Sequence, residues 1–295
     1  VARLFNAYVI VDWSAASKPG TTGADLIRIG VLKRDVRFRL AFESYALTTR
    51  GEAEKRLNLV LDDLKKRNER ALLGFNFPLG FPRGLSSALN LNGGDWSALW
   101  DFLDKMVKDK ADNTNNRFAV GSEINRRTTA GPFPFWGCPP RDALTTLQPK
   151  RSHEHGPGDL PEFRAADLAI KGASIWKLYY AGSIGGHAIL GIPVVRRLMK
   201  TRAVKVWPLG TGWKALSEAD LDGADALAVE VRIGLVAAQP LPGEAKELAP
   251  VRALAERIAK LDETGKLGAA FAPPKGLSEG EVQAIEQEEG WILNV

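Results

Sequence analysis

The segment YVIVDWSAASKPG, residues 8–20, carries a carboxylate, Asp12, where a run of apolar residues stops. A chain that needed only a turn there could use Gly, Asn or Ser, so the acid is either turn chemistry or a placed functional group. Asn76, in LLGFNFPLGFP, holds the same place after a second apolar run. Two other stretches could handle an anion. GSEINRR, residues 121–127, sets Arg126 and Arg127 close before GPFPFWGCP, where Phe135 or Trp136 could stack a base. Guanidinium forks suit phosphate or carboxylate, although a proline-rich loop with solvated arginines explains the stretch at least as well. AGSIGGHAIL, residues 181–190, is a glycine-rich entry to a helix, where free backbone N–H groups around Ser183 and Gly185 could hold a phosphate. Tight packing of the turn would call for the same glycines. His153 and His155 have no Cys or further His at metal spacing, and Cys138 has no neighbouring base. Solvated histidines and an inert thiol are expected.

These groups need elements to position them. Residues 8–11, 25–32 and 36–44 alternate or run apolar as three strands, with the turn KRD between the last two. Leu57, Val60, Leu61 and Leu64 then recur at helical spacing behind a capping box at Thr49 and Glu52. Residues 71–75 read as a fourth strand, which after a helical crossover should lie parallel to the first. From 79 to 202 the texture turns rich in Gly, Pro, Asn and Trp, with helices at 96–110 and 186–200, which reads as a large insertion forming a rim or lobe over the cleft. Strand-like runs follow at 203–209 and 225–236, then a helix at 247–261 and a tail whose residues 291–295 should dock as an apolar strap.

A three-strand meander, a helix, a fourth strand and later strands and helices is the order of a ribonuclease H-like α/β fold. Its mixed sheet with flanking helices would be formed by residues 1–78 and 203–261, with 262–295 as the docking tail. The ends of strands one and four would then meet, bringing Asp12 to Asn76, where open α/β sheets place ligands. The stretches VIVDWS, GFNFPLGFP, SIWKLYYAGSIGGHAILGIP, VKVWPLGTGW and EEGWILNV together resemble the nuclease-like family called domain of unknown function 429. That resemblance implies acids at Asp12 and at the position of Asn76, a Glu on a late strand matched by Glu230, and an acid at the next helix, for which Glu247 fits best. It implies a phosphodiester hydrolase using Mg²⁺ or Mn²⁺, with Asp12, Asn76 and Glu230 as metal ligands and Glu247 as a fourth catalytic group. Paired ions roughly 3.5–4 Å apart would activate water and stabilise the leaving oxygen. An amide at position 76 weakens such a cluster by one negative charge, and EVRIG lacks the proline that the pattern has after its Glu. Substrate contacts would come from Arg126, Arg127, Ser183 and Gly185.

Two other readings stay open. The run DWSAASK suits the phosphate hairpin of an actin-like or sugar-kinase-like phosphotransferase, although no second Asp-Gly hairpin stands out. A non-catalytic module that binds nucleic acid or a small anion is the other. The 295 residues, 45% hydrophobic and 25% charged, suit a globular chain with a sizeable core, and exclude a disordered or fibrous one. A net charge of +5 is compatible with a polyanion partner without demanding one. One cysteine and no evident signal segment lead to the expectation of a reducing cytoplasm, and no apolar run approaches the roughly 18–20 residues that span a bilayer.

Overall fold

The computed structural model describes residues 3–37 and 39–293. Six strands form one mixed sheet: β1 Ala7–Asp12, β2 Ile27–Arg34, β3 Leu40–Leu47, β4 Ala71–Phe75, β5 Val204–Val206 and β6 Ala226–Glu230, in the order β3-β2-β1-β4-β6-β5. The meander β1-β2-β3 is antiparallel, and β1, β4, β6 and β5 run parallel. Strands β4 and β6 are buried at every residue, as interior parallel strands covered on both faces should be. The third strand starts at Leu40, later than expected, and Phe38 lies outside the described residues.

Helix α1, Arg50–Lys66, begins at the expected capping box: Thr49 accepts from the Glu52 N–H, and the Glu52 carboxylate accepts from the Thr49 N–H. Its Ala53, Leu57, Leu61 and Leu64 are buried against one face of the sheet. That face also carries Val9, Val11, Leu73, Phe75 and Ala228. The insertion completes the same core. Its short α2, Leu85–Ala88, precedes α3, Trp96–Met106, capped by the Asp95 carboxylate, and α4, Arg117–Thr128, a helix where the sequence suggests a loop. After the single turn α5, Ala165–Ala169, comes α6, Gly185–Thr201. Leu99, Val120, Phe135, Trp176 and Ile189 belong to the same buried cluster as the strand residues, so the insertion shares the core of the sheet.

The opposite face, with Tyr8, Ile10, Leu72, Leu227 and Val229, is covered by α7, Ala249–Glu263, through Val251, Leu254, Ala255 and Ile258. Pro250 in the first turn of α7 forfeits no helical hydrogen bond. A fully buried Leu or Ile contributes about 1.5–3 kcal/mol, so each helix is secured by its apolar stripe. Strand β6 ends at Glu230, well short of residue 236, because the chain turns into a 3₁₀ segment at Ile233–Leu235. After α8, Leu267–Ala270, and α9, Glu279–Ala284, the tail returns: Ile292 bridges Glu230, and the rings of Trp291 and Trp213 lie 4.7 Å apart. The expected strap is thus docked through Leu293, while Asn294 and Val295 lie outside the described residues. No helix among the described residues is long and apolar enough to cross a membrane.

Candidate functional site

The ends of β1 and β4 bring Asp12 and Asn76 together: the Asn76 amide donates to the Asp12 carboxylate at 3.0 Å. The Asn76 carbonyl oxygen accepts from the Ile233 N–H at 3.3 Å, so this amide ties two strand ends to the turn after β6. Burial pushes the Asp12 carboxyl above its ordinary pKa, opposed by the Asn76 hydrogen bond and the Arg28 charge. Arg28 is the antiparallel partner of Asp12 on β2, and Glu247 lies 3.6 Å from its guanidinium. Glu247 precedes α7 and serves as a counterion to Arg28.

Glu230 departs from the metal-site expectation. It pairs in register with Phe75, itself opposite Val11, whereas Asp12 shares the other face of β1 with Ile10 and Tyr8. The pleat therefore directs Glu230 and Asp12 to opposite faces of the sheet. Glu230 is fully buried and accepts two hydrogen bonds from Arg164, at 2.7 and 2.8 Å, and one from the Leu79 N–H at 3.0 Å. Arg164 also grips Asp167 with two bonds, and the Arg232 guanidinium lies 3.1 Å from Glu230. Its oxygens are committed to cations of the chain itself. Among the described residues no three His, Cys, Asp or Glu side chains are placed to share a metal ion. The residues expected to hold Mg²⁺ or Mn²⁺ do not form a common donor set.

Arg126 and Arg127 sit on α4, where both bond Glu123, at 2.7 and 2.6 Å, and hold its carboxyl down to about 2. They are not free clamps. The basic run 196–205 is likewise neutralised: Arg196 pairs with Asp101, Arg197 with Glu54 and Lys200 with Asp104.

A cleft of about 740 Å³ opens on the α6 side of the sheet, between the loop after β1 (residues 14–21), the start of α4, residues 139–142 and the segment 178–187. Its floor is braced. Arg50 holds Asp109 with two bonds of 2.6 Å and donates to the carbonyls of Ser14 and Ala16, while the Asn113 amide donates to the Lys18 carbonyl. Arg117, at the start of α4, is only 5% exposed and donates to Ser17 and Asn115. Its buried Nε has no partner, and among the described residues no carboxylate is paired with it, the Asp142 and Asp109 charges acting on it only as weaker, more distant influences. Burial, then the nearby Arg50 cation, lowers its pKa to about 10, so it stays charged at neutral pH.

The first turn of α6 closes on this guanidinium. A Cβ built on Gly186 would stand 3.1 Å from the Leu178 carbonyl oxygen, 3.2 Å from Arg117 Cδ and 3.3 Å from Ala15 Cβ, so any larger residue would require these neighbours to shift by a few tenths of an ångström. The Gly186 N–H has no acceptor among the described residues. Ser183 and His187 line the cleft beside it, and the buried His187 Nδ1 is also without a partner. Gly185 is different: its N–H already donates to the Lys177 carbonyl, and its added Cβ would fall 2.0 Å from the Ile175 oxygen. Packing accounts for this glycine. Gly185→Ala should cost about 3 kcal/mol, read by urea unfolding, because backbone must move to admit one methyl.

Arg50, Arg117 and His187 are not among the residues to which the sequence points. The available signal was faint: no acid stands three or four residues from Arg117 on its helix, and a histidine follows a Gly-Gly pair at a helix start. The fold and this cleft define an α/β protein with a preformed, cation-floored pocket at the end of its first strand. In comparisons with known proteins, the chain matches no family model, no curated protein and no solved structure.

Proposed function

We propose that this protein binds a small ligand through an anionic group, phosphate or carboxylate, seated on Arg117 at the first turn of α6. The observation that carries the reading is the Arg117 charge, buried beside a cleft with no carboxylate against it. A buried ion normally has a counterion, because desolvation without one costs several kcal/mol. Arg50, one helix away, has Asp109. A ligand anion would serve Arg117 in the same way, assisted by the Gly186 N–H and the positive end of a 17-residue helix. The meander order and the parallel β4 support a ribonuclease H-like scaffold. Metal-dependent hydrolysis has lost its geometric support with Glu230, and the paired surface arginines give a polynucleotide little to track. A single buried Cys138 favours a reducing, cytoplasmic setting.

Calorimetric titration with inorganic sulfate and phosphate tests the proposal; one saturable site is expected, and no binding up to molar salt overturns it. Proton linkage adds a signature. Burial first, then Arg117, Arg232 and Arg50, lowers the His187 pKa to about 4. Free His187 is therefore neutral near pH 7, and between about pH 4 and 6.5 the unfolded chain holds more protons, so its contribution to stability fades as pH falls. A bound anion favours the imidazolium. Sulfate affinity should rise about threefold or more from about pH 8 to pH 5, with His187→Gln flattening the rise. Lys18, Arg117 and Arg141 line the cleft together with His187, as do Asp25 and Asp142.

A further inference from the structure

We propose that the anion belongs to a phosphate monoester of a planar heteroaromatic compound, a mononucleotide in class, whose ring lies on Tyr180 and Tyr179. The inference rests on the anion reading above and specifies the rest of the ligand. Both tyrosines line the Arg117 cleft, yet they are 38% and 46% exposed, for Tyr179 and Tyr180, in a chain that buries most of its aromatic rings. Their centroids are 4.8 Å apart, and Phe118 backs Tyr179 edge-on at 6.0 Å while its own face carries the Arg117 guanidinium at 4.2 Å. One continuous aromatic wall thus runs from the buried cation to the rim.

Tyr180 is held there against backbone preference. Its φ is +73°, a left-handed conformation that is rare for a bulky residue, and its hydroxyl donates to the Cys138 carbonyl at 3.1 Å. Backbone and hydroxyl are both tied, which leaves the ring as a fixed platform at little further entropic cost on binding. Strain kept at the edge of a cleft is characteristic of ligand clamps. Asp25 and Asp142 on the remaining walls would accept hydrogen bonds from sugar hydroxyls or a ring amino group. Those carboxylates would also repel further phosphates, which selects a monoester over a polyphosphate or a nucleic-acid strand. The cleft volume is within the usual range for a small organic ligand.

Calorimetry with inorganic phosphate, ribose 5-phosphate, adenosine 5′-monophosphate and a short oligonucleotide tests the assignment. The mononucleotide should bind about tenfold tighter than ribose 5-phosphate, the increment that base stacking on an aromatic supplies, and tighter than the oligonucleotide. In Tyr180→Gly, which removes the ring and suits the left-handed backbone, that ratio should fall to near one; Tyr180→Phe, which loses only the hydroxyl, should retain it. A ratio near one in the unaltered protein, with phosphate still bound, overturns the ring and leaves the anion site standing. A ratio that survives Tyr180→Gly overturns the platform, stronger binding of the oligonucleotide overturns the monoester, and loss of all binding overturns both readings.

Discussion

Glu230→Ala should destabilise the protein by about 3–5 kcal/mol, because it strips the fully buried Arg164 of one of its two carboxylates. For a chain of this size that corresponds to roughly 6–15 °C in melting temperature. The cluster explains the magnitude. Arg164, Asp167 and Glu230 have no water-exposed edge and Arg232 only a small one, so one deletion leaves an unbalanced charge that is poorly solvated. The loss also reaches the tail, since Arg164, deprived of one partner, is the donor to the Glu289 carbonyl. Glu230→Gln, which keeps the shape and one acceptor, should fall between the unaltered protein and Glu230→Ala. A metal ligand behaves oppositely: carboxylates gathered for a cation repel one another without it, and removing one stabilises the metal-free protein. Urea unfolding in the presence of a chelator separates the cases, and an unchanged or raised midpoint for Glu230→Ala would end the structural assignment.

Arg117→Met should abolish most anion binding while leaving the fold intact. Hydrogen bonds to a charged group are worth about 1.5–3 kcal/mol, which predicts sulfate affinity about 10- to 100-fold weaker. Stability should move the other way or hardly at all. Methionine fills a similar volume, and relief of an uncompensated buried charge offsets the lost bonds to Ser17 and Asn115. Paired melting and calorimetry decide the matter. A lower melting temperature with unaltered sulfate binding would make Arg117 a structural arginine and remove the basis of the proposed function.

Much of the architecture was legible because its causes are local. The α1 capping box and leucine spacing lie within sixteen residues, the apolar runs of β1 and β4 need no partner to be recognised, and the chain order of meander, helix and strand restricts how they assemble. The approach of Asp12 to Asn76 followed from that order once it was read as a ribonuclease H-like sheet with the fourth strand beside the first, and the sheet does pair β1 with β4. Helix α4 was obscured by Asn- and Gly-rich flanks that resemble a loop, and it is stabilised instead by burying Val120 and Ile124 in the shared core. Period-two alternation indicated that Glu230 must point to one face or the other of its strand, but not what stands over that face. Its partner, Arg164, lies 66 residues away across the insertion, just as Asp109 lies 59 residues from Arg50. The chemical meaning of a charge depends on whether a counterion meets it, and that meeting occurs only when distant segments pack. Residue types therefore determined the sheet and the strand ends, while tertiary structure alone decided which buried charges were neutralised and left Arg117 to face the cleft.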